Sequence, residues 1–528
     1  MSAKTNTSNK MKRFNTTGTC RPTEHYMVDI TERLEVIRKM IANGDYFCIN
    51  RGRQYGKTTT LEALTRYLEN DYAVFKLSFE GLSAESFESL TSVYSLFLQS
   101  LLFNVRLGRT KLDDAALQVL EKISEKARIS DMDFAYTIPM LCKANKKPVV
   151  ILIDEVDQAS NYDSFLIFLG VLRRMFLDRG SLPTFQSVIL AGVYDIKNLK
   201  LKIRTEGEHQ YNSPWNISVP FEEDMSLSAK GIADMLAEYK ADHNLTFDEI
   251  FVGQMIRDYT AGYPFLVSRI CQIIDAEQYS WDKEGVLKAI HDLLIERNTL
   301  FDDMIKKLDQ FPELKELLRS ILFEGKSRTF HTDEKYLQIG LMFNFLKNNN
   351  GSVAIACRLM ETRLYNMFIG ENETSSIFSL GQMDKNQFVH DGYIDMRRLI
   401  EKFCEHFNEI YQPGKDDKFV EENGRKIFLT YLRPIINGVG NYYCEAQTRD
   451  LTRTDIIIDY LGQQYIIELK IWRGNSYNER GEQQLAEYLE RYNLQTGYMV
   501  SFCFNKKKTS GLLPPVELNG RTLIEAIV

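Results

Sequence analysis

The sequence lacks three features that would place the chain in a special class of protein. Its eight cysteines never stand in a C-x-x-C spacing, so neither a zinc site nor a disulfide framework is indicated, and scattered thiols fit a reducing cytosol. No apolar run reaches the roughly 18 residues needed to span a bilayer. The polar first 15 residues lack the apolar stretch of a signal peptide. We therefore expect a cytoplasmic protein with no membrane partner, in which residues 1–19 form a disordered tail.

A positive net charge is also absent. The formal net charge is −7, so the chain as a whole is not a basic nucleic-acid binder, and any such contact depends on a local patch. Apolar residues make up 44% and charged residues 26%, which is an ordinary globular balance. A chain of 528 residues is too long for one core and predicts about two to four domains.

Strands and helices alternate along the first part of the chain, which predicts an α/β fold with a doubly wound parallel sheet over residues 20–225. Residues 226–370 are expected to be helical and to end in a winged helix, whose hairpin turns at Asn350-Gly351. A polar stretch, 371–390, is interpreted as a linker. The pattern of helices and strands in residues 391–528 predicts a second α/β domain.

A phosphate-binding motif is indicated by "NRGRQYGKTTT", residues 50–60, which follows a predicted strand and opens a helix. The usual pattern places its first glycine at position 51, where this sequence has Arg51. The adjacent residue, Gly52, can still give the chain a tight turn. Backbone N–H groups at a helix N-terminus and a lysine hold phosphates, so Lys57 is expected to reach the terminal phosphates and Thr58 to bind Mg²⁺.

An apolar strand that ends in acids supplies the second half of such a site. In "VVILIDE", Asp154 is expected in the outer shell of the metal, and Glu155 is expected to polarise the attacking water. A Gly-Lys-Thr triplet alone is a weak signal, but the strand, the helix and the later Asp-Glu together favour a functional site.

The segments "YMVDIT", "NRGRQYGKTTTLEAL", "ILIDEVDQ", "AGVYDI" and "GYP" together resemble the AAA-ATPase-like proteins, relatives of the STAND and AAA+ NTPases, over residues 20–370. In that group an Arg-x-Arg-x-Phe/Tyr-Gly-Lys-Ser/Thr pattern often replaces the first glycine. The resemblance implies ATP and Mg²⁺ as cofactors. The nucleotide-binding residues would be Arg51, Gly52, Arg53, Gln54, Tyr55, Gly56, Lys57, Thr58, Thr59 and Asp154.

The same resemblance implies more distant contacts. Tyr194 and Asp195 fall where a γ-phosphate sensor lies, and Gly262 and Pro264 match a Gly-x-Pro that approaches the base. Tyr26 and Val28 would contact adenine. Each of these residues also has an ordinary structural alternative, as a turn glycine, a capping acid or a core aromatic. Three arginines remain candidates for an arginine finger, namely Arg173, Arg174 and Arg204.

A second candidate site is "TRTDIIIDYLGQQYIIELKIW", residues 452–472. Glu468 and Lys470 are two apart on a predicted strand and therefore share a face, and Asp455 begins the neighbouring strand. Two carboxylates and a lysine can hold Mg²⁺ or Mn²⁺ and orient a water onto a phosphodiester, with Lys470 stabilising the transition state. Alternating charge is common on exposed strands, but this pair lies within an apolar run, where an unpaired charge is costly.

The order of helix, acid, hairpin and Gln-Gln-Leu helix resembles the PD-(D/E)XK nuclease superfamily over residues 390–510, a restriction-endonuclease-like α/β fold. Glu445 matches the acid of the first strand and Asp455 the metal aspartate. Glu468 and Lys470 match the E-x-K, and Gln484 matches the glutamine of the following helix. The resemblance implies Asp455 and Glu468 as metal ligands. Glu422 is a weaker match to an acid that some branches add.

Contacts with nucleic acid have two interpretations. Arg473, Arg480, Arg491 and the run Lys506-Lys507-Lys508 are candidates for binding a phosphate backbone, or they form a solvated face. The winged helix would read DNA, or it would act as a lid over the nucleotide as in STAND proteins, which is the interpretation that we favour.

The sequence therefore predicts an ATPase fused to a metal-dependent nuclease that acts on nucleic acid, with DNA as the expected substrate. The nucleotide state would control domain arrangement or homo-oligomerisation. Analogy alone suggests a role in defence or mobile-element biology. Two alternatives stay open: a nucleotide-switched DNA-binding regulator or scaffold that does not cut, and an ATP-dependent transcriptional regulator that acts through the winged helix.

Overall fold

The first apolar runs of the chain form a sheet of four parallel strands. In the computed structural model these are β1 (Phe47–Asn50), β2 (Ala73–Ser78), β3 (Val149–Asp154) and β4 (Ser187–Gly192), in the order β1-β4-β3-β2. Every residue of β3 and β4 is buried, because helices cover both faces of a parallel sheet. The predicted α/β class with a parallel sheet is confirmed.

Helices separate these strands and pack on the sheet. One buried cluster joins Leu34 and Ile37 to Leu61 and Leu64 on one side of the sheet, and a larger aromatic-rich cluster fills the other side. The helices are α1 (Thr31–Ala42), α2 (Lys57–Leu68), α3 (Leu90–Arg106), α4 (Asp114–Ser124), α5 (Asp131–Ala144) and α6 (Asp163–Leu177).

The structure describes residues 11–193, 215–323, 329–331, 334–349, 351–370, 376–390, 392–410, 421–436, 440–444, 455–472, 475–503 and 510–528. The chain divides into two compact units, Met1–Ser226 and Leu227–Val528, which we call unit 1 and unit 2. None of the described helices combines the length and the apolar character that a bilayer crossing requires.

Unit 2 begins with a run of helices and one hairpin. The hairpin pairs β5 (Leu346–Asn349) with β6 (Ser352–Ile355) in antiparallel register, and Gly351 has a φ of 86° at its turn. The helices are α7 (Ala229–Asp242), α8 (Glu249–Thr260), α9 (Pro264–Ala276), α10 (Lys283–Ile295), α11 (Thr299–Gln310), α12 (Pro312–Phe323), α13 (Lys335–Met342) and α14 (Arg358–Gly370).

A helix lies inside the segment 371–390, where the sequence suggested a linker. This helix, α15 (Ser376–Phe388), buries Ile377, Asp384 and Phe388. The Asp384 carboxylate accepts hydrogen bonds from Tyr431 Oη at 2.8 Å and from His406 Nε2 at 2.6 Å when that nitrogen is protonated. The segment looks polar in the sequence because its few apolar residues are spaced for one helix face, not for a continuous run.

The last part of unit 2 contains a second sheet, which a short strand pair precedes, β7 (Val389–His390) and β8 (Tyr393–Ile394). The strands of the sheet are β9 (Gly440–Cys444), β10 (Asp455–Tyr460), β11 (Gln463–Ile471), β12 (Thr496–Phe502), β13 (Gly511–Leu512), β14 (Val516–Leu518) and β15 (Arg521–Ile527), and the helices of this region are α16 (Met396–Ile410), α17 (Glu421–Ile436) and α18 (Asn475–Arg491). The strand order is β13-β15-β12-β11-β10-β9, with β14 beside β15. The strands β9, β10 and β11 form an antiparallel meander, and β12 and β15 continue parallel to β11.

A buried polar junction joins the helical part of unit 2 to this sheet. Tyr259 of α8 donates its hydroxyl hydrogen to Asp459 of β10 at 3.1 Å, and the Gln464 amide of β11 donates to the Asp459 carboxylate at 2.8 Å. Burial raises the pKa of the Tyr259 phenol, and the Asp459 charge adds to the effect. The segments 226–370 and 391–528, which the sequence analysis separates, therefore belong to one unit.

Candidate functional site

The predicted phosphate loop connects the end of β1 to the start of α2. Gly56 is the N-cap residue of α2 and has a left-handed backbone, with φ 80° and ψ 14°, and Gln54 also has a positive φ of 56°. The positive-φ residues of the loop are therefore Gln54 and Gly56, and a turn at Arg53-Gln54 directly follows Gly52. Thr58 lies half-buried in the first turn of α2, and Thr59 Oγ1 accepts a hydrogen bond from the Cys20 N–H at 3.2 Å.

Lys57 is enclosed by the loop that precedes it. Its Nζ donates hydrogen bonds to the carbonyl oxygens of Arg51 and Gly52, both at 2.9 Å, and the side chain is 6% exposed. Burial lowers the pKa of Lys57, and the charges of Glu155, Asp157 and Asp154 partly offset this effect. Among the described residues, Lys57 has no ion pair with a carboxylate, so a phosphate fits as its counter-charge.

Arg51, which stands where a glycine is usual, binds the protein itself. Its guanidinium donates to the Asn50 carbonyl at 2.8 Å and to the Glu223 carbonyl at 2.7 Å, and it lies 5.7 Å from the centre of the Phe221 ring. Arg51 therefore anchors the segment 221–226 to the phosphate loop. Arg53 and Gln54 are exposed at the tip of the loop, and Tyr55 is half-buried beside Arg51.

The two acids at the end of β3 differ in surroundings. Asp154 is 2% exposed, and its Oδ1 accepts the Glu155 N–H at 3.0 Å. Glu155 has a left-handed backbone, with φ 54° and ψ 40°, which is an uncommon conformation for a non-glycine residue and typical of functional sites. Burial raises the pKa of Glu155, whereas the Lys57 charge lowers it. A carboxylate with a raised pKa close to a phosphate loop suits proton transfer from a water.

Asp157 is a residue of this region that the sequence analysis missed. Its carboxylate accepts a hydrogen bond from the Val193 N–H, just beyond β4, and a Cβ on Gly192 would lie 2.9 Å from its Oδ1. Asp157 thus joins the ends of β3 and β4 and adds negative charge near Lys57. The third acid in "DEVD" was the available signal, but its partner is a backbone N–H 36 residues away.

The structure places the more distant predicted residues only in part. Tyr26 is buried with its ring 5.1 Å from that of Phe14, and Val28 is half-buried. Gly262 has a φ of 70°, and a Cβ there would lie 2.2 Å from the Leu227 carbonyl oxygen, so the close approach of two backbones requires glycine. Pro264 is the first residue of α9. These roles stay predictions. Of the arginine-finger candidates, Arg173 is half-buried and Arg174 is exposed. The third candidate, Arg204, lies outside the described residues, as do Tyr194 and Asp195.

The second candidate site lies on an antiparallel hairpin formed by β10 and β11. Asp455 of β10 lies opposite Glu468 of β11. Glu468 is fully buried and Lys470 is 5% exposed, and Lys470 Nζ lies 3.2 Å from Glu468 Oε1. A Cβ on Gly481 of α18 would lie 2.6 Å from Lys470 Nζ, so this helix covers the pair. Sequence reasoning brought Glu468 and Lys470 together correctly.

The other residues predicted for this site are placed less completely. Gln484 is half-buried on α18, three positions after Gly481 and so on the same side of the helix. Glu422 falls in α17, and Arg480 is exposed on α18. Glu445, Arg473 and Lys506-Lys507-Lys508 lie outside the described residues, and Arg491 ends α18. Over the described part of the chain, no group of three or more His, Cys, Asp or Glu side chains is placed to hold a metal ion.

A parallel sheet, a loop that holds a buried lysine at a helix N-terminus, and an Asp-Glu pair at the end of a neighbouring strand define the class of P-loop NTPases. Residues 21–366 match the family described as AAA-like domain. This match covers well over half of the chain, and the chain belongs to that family. The expected AAA-ATPase-like resemblance is thereby confirmed, whereas the nuclease resemblance stays a prediction.

Solved structures give distant likenesses. The Walker-type ATPase PABY2304 of Pyrococcus abyssi is 14% identical with a TM-score of 0.46, and the match covers 66% of this chain and 99% of that one. Cdc6p from Pyrobaculum aerophilum is 12% identical with a TM-score of 0.31, over 65% and 94% of the two chains. The Aeropyrum pernix ORC1 protein in complex with DNA is 12% identical with a TM-score of 0.28, over 66% and 94%. No curated protein matches the chain closely enough to count as a relative.

Proposed function

We propose that the chain binds and hydrolyses ATP in unit 1 and that its nucleotide state controls a metal-dependent nuclease in unit 2, with DNA as substrate. The observation that carries the first half is the buried Lys57, which donates to the loop carbonyls of Arg51 and Gly52 and, within the described residues, forms no ion pair with a carboxylate. The observation that supports the second half is the fully buried Glu468 beside Lys470.

In unit 1, the N-terminal turn of α2 and Lys57 would hold the phosphates, with Arg53 reaching them from the tip of the loop. Thr58 and Asp154 would hold Mg²⁺, which supplies charge stabilisation on the phosphates. Glu155 would accept a proton from the attacking water or orient that water. The raised pKa of Glu155 brings its basicity closer to what this step needs.

In unit 2, Asp455 and Glu468 are the proposed ligands of Mg²⁺ or Mn²⁺, because carboxylate oxygens are the donors that these ions prefer. The ion would supply an activated water and stabilise charge on the phosphodiester. Lys470 would hold the attacking water or the charge that develops on the phosphate. Glu445 and Gln484 are proposed to complete the site.

The energetics of burial favour a functional role for the Glu468–Lys470 pair. Taking two charges out of water costs several kcal/mol per ion before their attraction is counted, and a well-packed apolar pair is often as stable or more stable. The buried neighbours Ile466, Ile467 and Leu469 show that this part of the strand accepts apolar residues. A pair that stability alone does not require is best explained by the chemistry that it provides.

The ATP half is tested by the variant Lys57→Ala in an equilibrium binding assay with ATP and Mg²⁺. We expect at least a 100-fold loss of affinity, because a charge-assisted contact to phosphate is removed from a buried site. Lys147→Ala is the matched control, since Lys147 is an exposed lysine of unit 1 that also donates to a backbone carbonyl. Unchanged affinity in Lys57→Ala would reject the phosphate-loop assignment.

The nuclease half is tested by incubating the full chain with single- and double-stranded DNA and RNA, with Mg²⁺ or Mn²⁺, and with or without ATP. We expect DNA cleavage that Asp455→Ala and Lys470→Ala abolish. Lys402→Ala is the control, because Lys402 forms a surface ion pair with Glu405 at 2.6 Å. Retarded but intact DNA across all metals and nucleotides would favour the regulator or scaffold, and the nuclease proposal would then be abandoned.

A further inference from the structure

A row of polar side chains crosses the C-terminal sheet beyond the predicted hairpin. Glu468 of β11 lies opposite Met499 of β12, and Met499 lies opposite Glu525 of β15. Lys470 lies opposite Ser501 of β12. Paired residues of neighbouring strands share a face, and residues two apart on one strand do so as well. Glu468, Lys470, Ser501 and Glu525 are therefore on one face.

That face is the one that α18 covers. Gly481 of α18 lies against Lys470, and a Cβ on Gly497 of β12 would meet Leu485 and Leu489 of the same helix. Gly497 shares its face with Ser501, since the two residues are four apart on the strand. The row thus lies between the sheet and the helix, and little of its polar surface is exposed to solvent.

Glu525 is a buried acid that the sequence analysis did not single out. It is 4% exposed, and its Oε1 accepts a hydrogen bond from the hydroxyl of the fully buried Ser501 at 3.1 Å. Ser501 is paired with Lys470 across β11 and β12, and neighbouring strands lie about 4.8 Å apart, so we infer that the long side chain of Lys470 reaches this hydrogen bond. A buried carboxylate needs a cation or several donors close by, and Lys470 is the cation of this row among the described residues.

We propose that Glu525, acting through Ser501, is a positioning residue that holds the Lys470 ammonium group in place when Glu468 binds a metal ion. This inference rests on the proposed nuclease function. A carboxylate that binds a divalent cation gives up much of its attraction for a neighbouring lysine. Lys470 would then receive less counter-charge from Glu468, and a buried charge whose ion pair is weakened is costly. Glu525, through the Ser501 hydroxyl, would offset this loss of counter-charge and fix the direction of the Lys470 side chain.

The coupling between Glu525 and Lys470 can be measured without any nuclease activity. The midpoint of thermal unfolding is determined for the full chain, for Glu525→Gln, for Lys470→Met and for the double variant. We expect Glu525→Gln to lower the midpoint by about 2–4 °C in the parent chain, and by less than half as much when Lys470 is already Met, since contacting residues are not additive. Equal shifts in both backgrounds would overturn the proposal.

Kinetics then separate positioning from a purely structural role. Glu525→Gln and the milder Ser501→Ala are each expected to lower kcat for DNA cleavage about tenfold, with the KM for DNA and the Kd for Mn²⁺ alone unchanged. The matched control is Glu517→Gln, because the exposed Glu517 accepts a comparable hydrogen bond from Thr522 in the same sheet. A lower Mn²⁺ affinity in Glu525→Gln would contradict positioning and make Glu525 a ligand.

The two proposals can fail separately. If the parent chain cleaves no nucleic acid, the nuclease function is rejected, while the thermal unfolding series still decides whether Glu525 holds Lys470. If cleavage occurs and kcat is the same in Glu525→Gln and Ser501→Ala, the nuclease stands and the role of Glu525 is rejected.

Discussion

The phosphate loop buries Lys57, and the row of polar side chains in the C-terminal sheet buries Lys470. The two lysines are surrounded by different groups. Lys57 donates to two backbone carbonyls, and the acids that influence it act only through their charge. Lys470 is in an ion pair with Glu468 at 3.2 Å. A buried ammonium that has only neutral partners gains from an incoming anion. A buried ion pair releases its carboxylate when a competing cation arrives. The first arrangement is suited to a phosphate ligand and the second to a metal ion.

The largest effect that would sharpen this comparison is expected at Glu155. Glu155→Gln keeps the size of the side chain but removes its ability to accept a proton. We expect ATP turnover to fall about 10²- to 10⁴-fold, while ATP affinity stays within about threefold because Lys57 is unchanged. Single-turnover hydrolysis and equilibrium binding measure the two quantities. Loss of affinity together with turnover would assign Glu155 to binding instead of to catalysis.

A second effect is expected where α18 meets Lys470. The added methyl group of Gly481→Ala would lie 2.6 Å from Lys470 Nζ, so the mobile end of the lysine has to move away from Glu468. We expect cleavage to fall about tenfold, or roughly 1.4 kcal/mol in the barrier, with little loss of stability because alanine favours the helix.

The same substitution at Gly170 is the control for Gly481→Ala. Gly170 lies on α6 and has nothing within 4 Å of its Cβ position. Gly170→Ala should leave cleavage unchanged and stabilise the chain by about 0.5–1 kcal/mol. Full cleavage activity in Gly481→Ala would show that the position of Lys470 is not critical.

A third, moderate effect concerns Arg51. Arg51→Gly restores the usual glycine of the phosphate loop but removes the hydrogen bonds to the Asn50 and Glu223 carbonyls. We expect unfolding of unit 1 to become easier by about 2–4 kcal/mol, with ATP affinity nearly unchanged. Arg53→Ala, at the exposed tip of the same loop, should weaken ATP binding and leave the stability of unit 1 nearly unchanged. Weaker ATP binding with unchanged stability in Arg51→Gly would place the Arg51 side chain on the phosphates.

The smallest effect is a pH dependence. The pKa of Glu155 is raised above its ordinary value of 4.5, so the folded chain holds this proton to a higher pH than the unfolded chain. Its contribution to stability is therefore greatest below pH 4.5 and is lost as the pH rises through the folded pKa. Gln does not titrate at this position, so the Glu155→Gln variant should become more stable relative to the parent chain as the pH rises from 4.5 through the folded pKa of Glu155. Urea midpoints between pH 4 and 7 test this, and a constant difference would contradict the raised pKa.

The sequence was sufficient to predict those structural features that depend on residues close to one another along the chain. The strand before Lys57, the helix after it and the Asp-Glu at the end of β3 are contiguous patterns, and the structure contains each of them. The neighbouring positions of the Asp455 and Glu468 strands followed from the short turn at Leu461-Gly462, and the structure pairs the two strands. In both cases local periodicity fixes the face and the register.

The sequence was insufficient where a role depends on a distant partner. Arg51 finds its carbonyl at Glu223, and Asp157 finds its N–H at Val193, through the packing of parallel strands that no local pattern encodes. Glu525 joins the row because β15 lies beside β12, although it follows Glu468 only much later in the chain. The positive φ at Gln54 was missed because this conformation is usually adopted by glycine, and a glutamine gives no local signal for it.

The helix α15 has a consequence for how such chains are assembled from parts. Gly381 of this helix packs against α17 so closely that a Cβ there would lie 2.1 Å from the Tyr431 carbonyl oxygen. A recombination or cloning junction inside α15 would cut the helix that packs on α17, and a junction just after Phe388 would separate Asp384 from His406. Chimeras joined within residues 376–436 should therefore be expressed intact less often than chimeras that keep this segment in one piece.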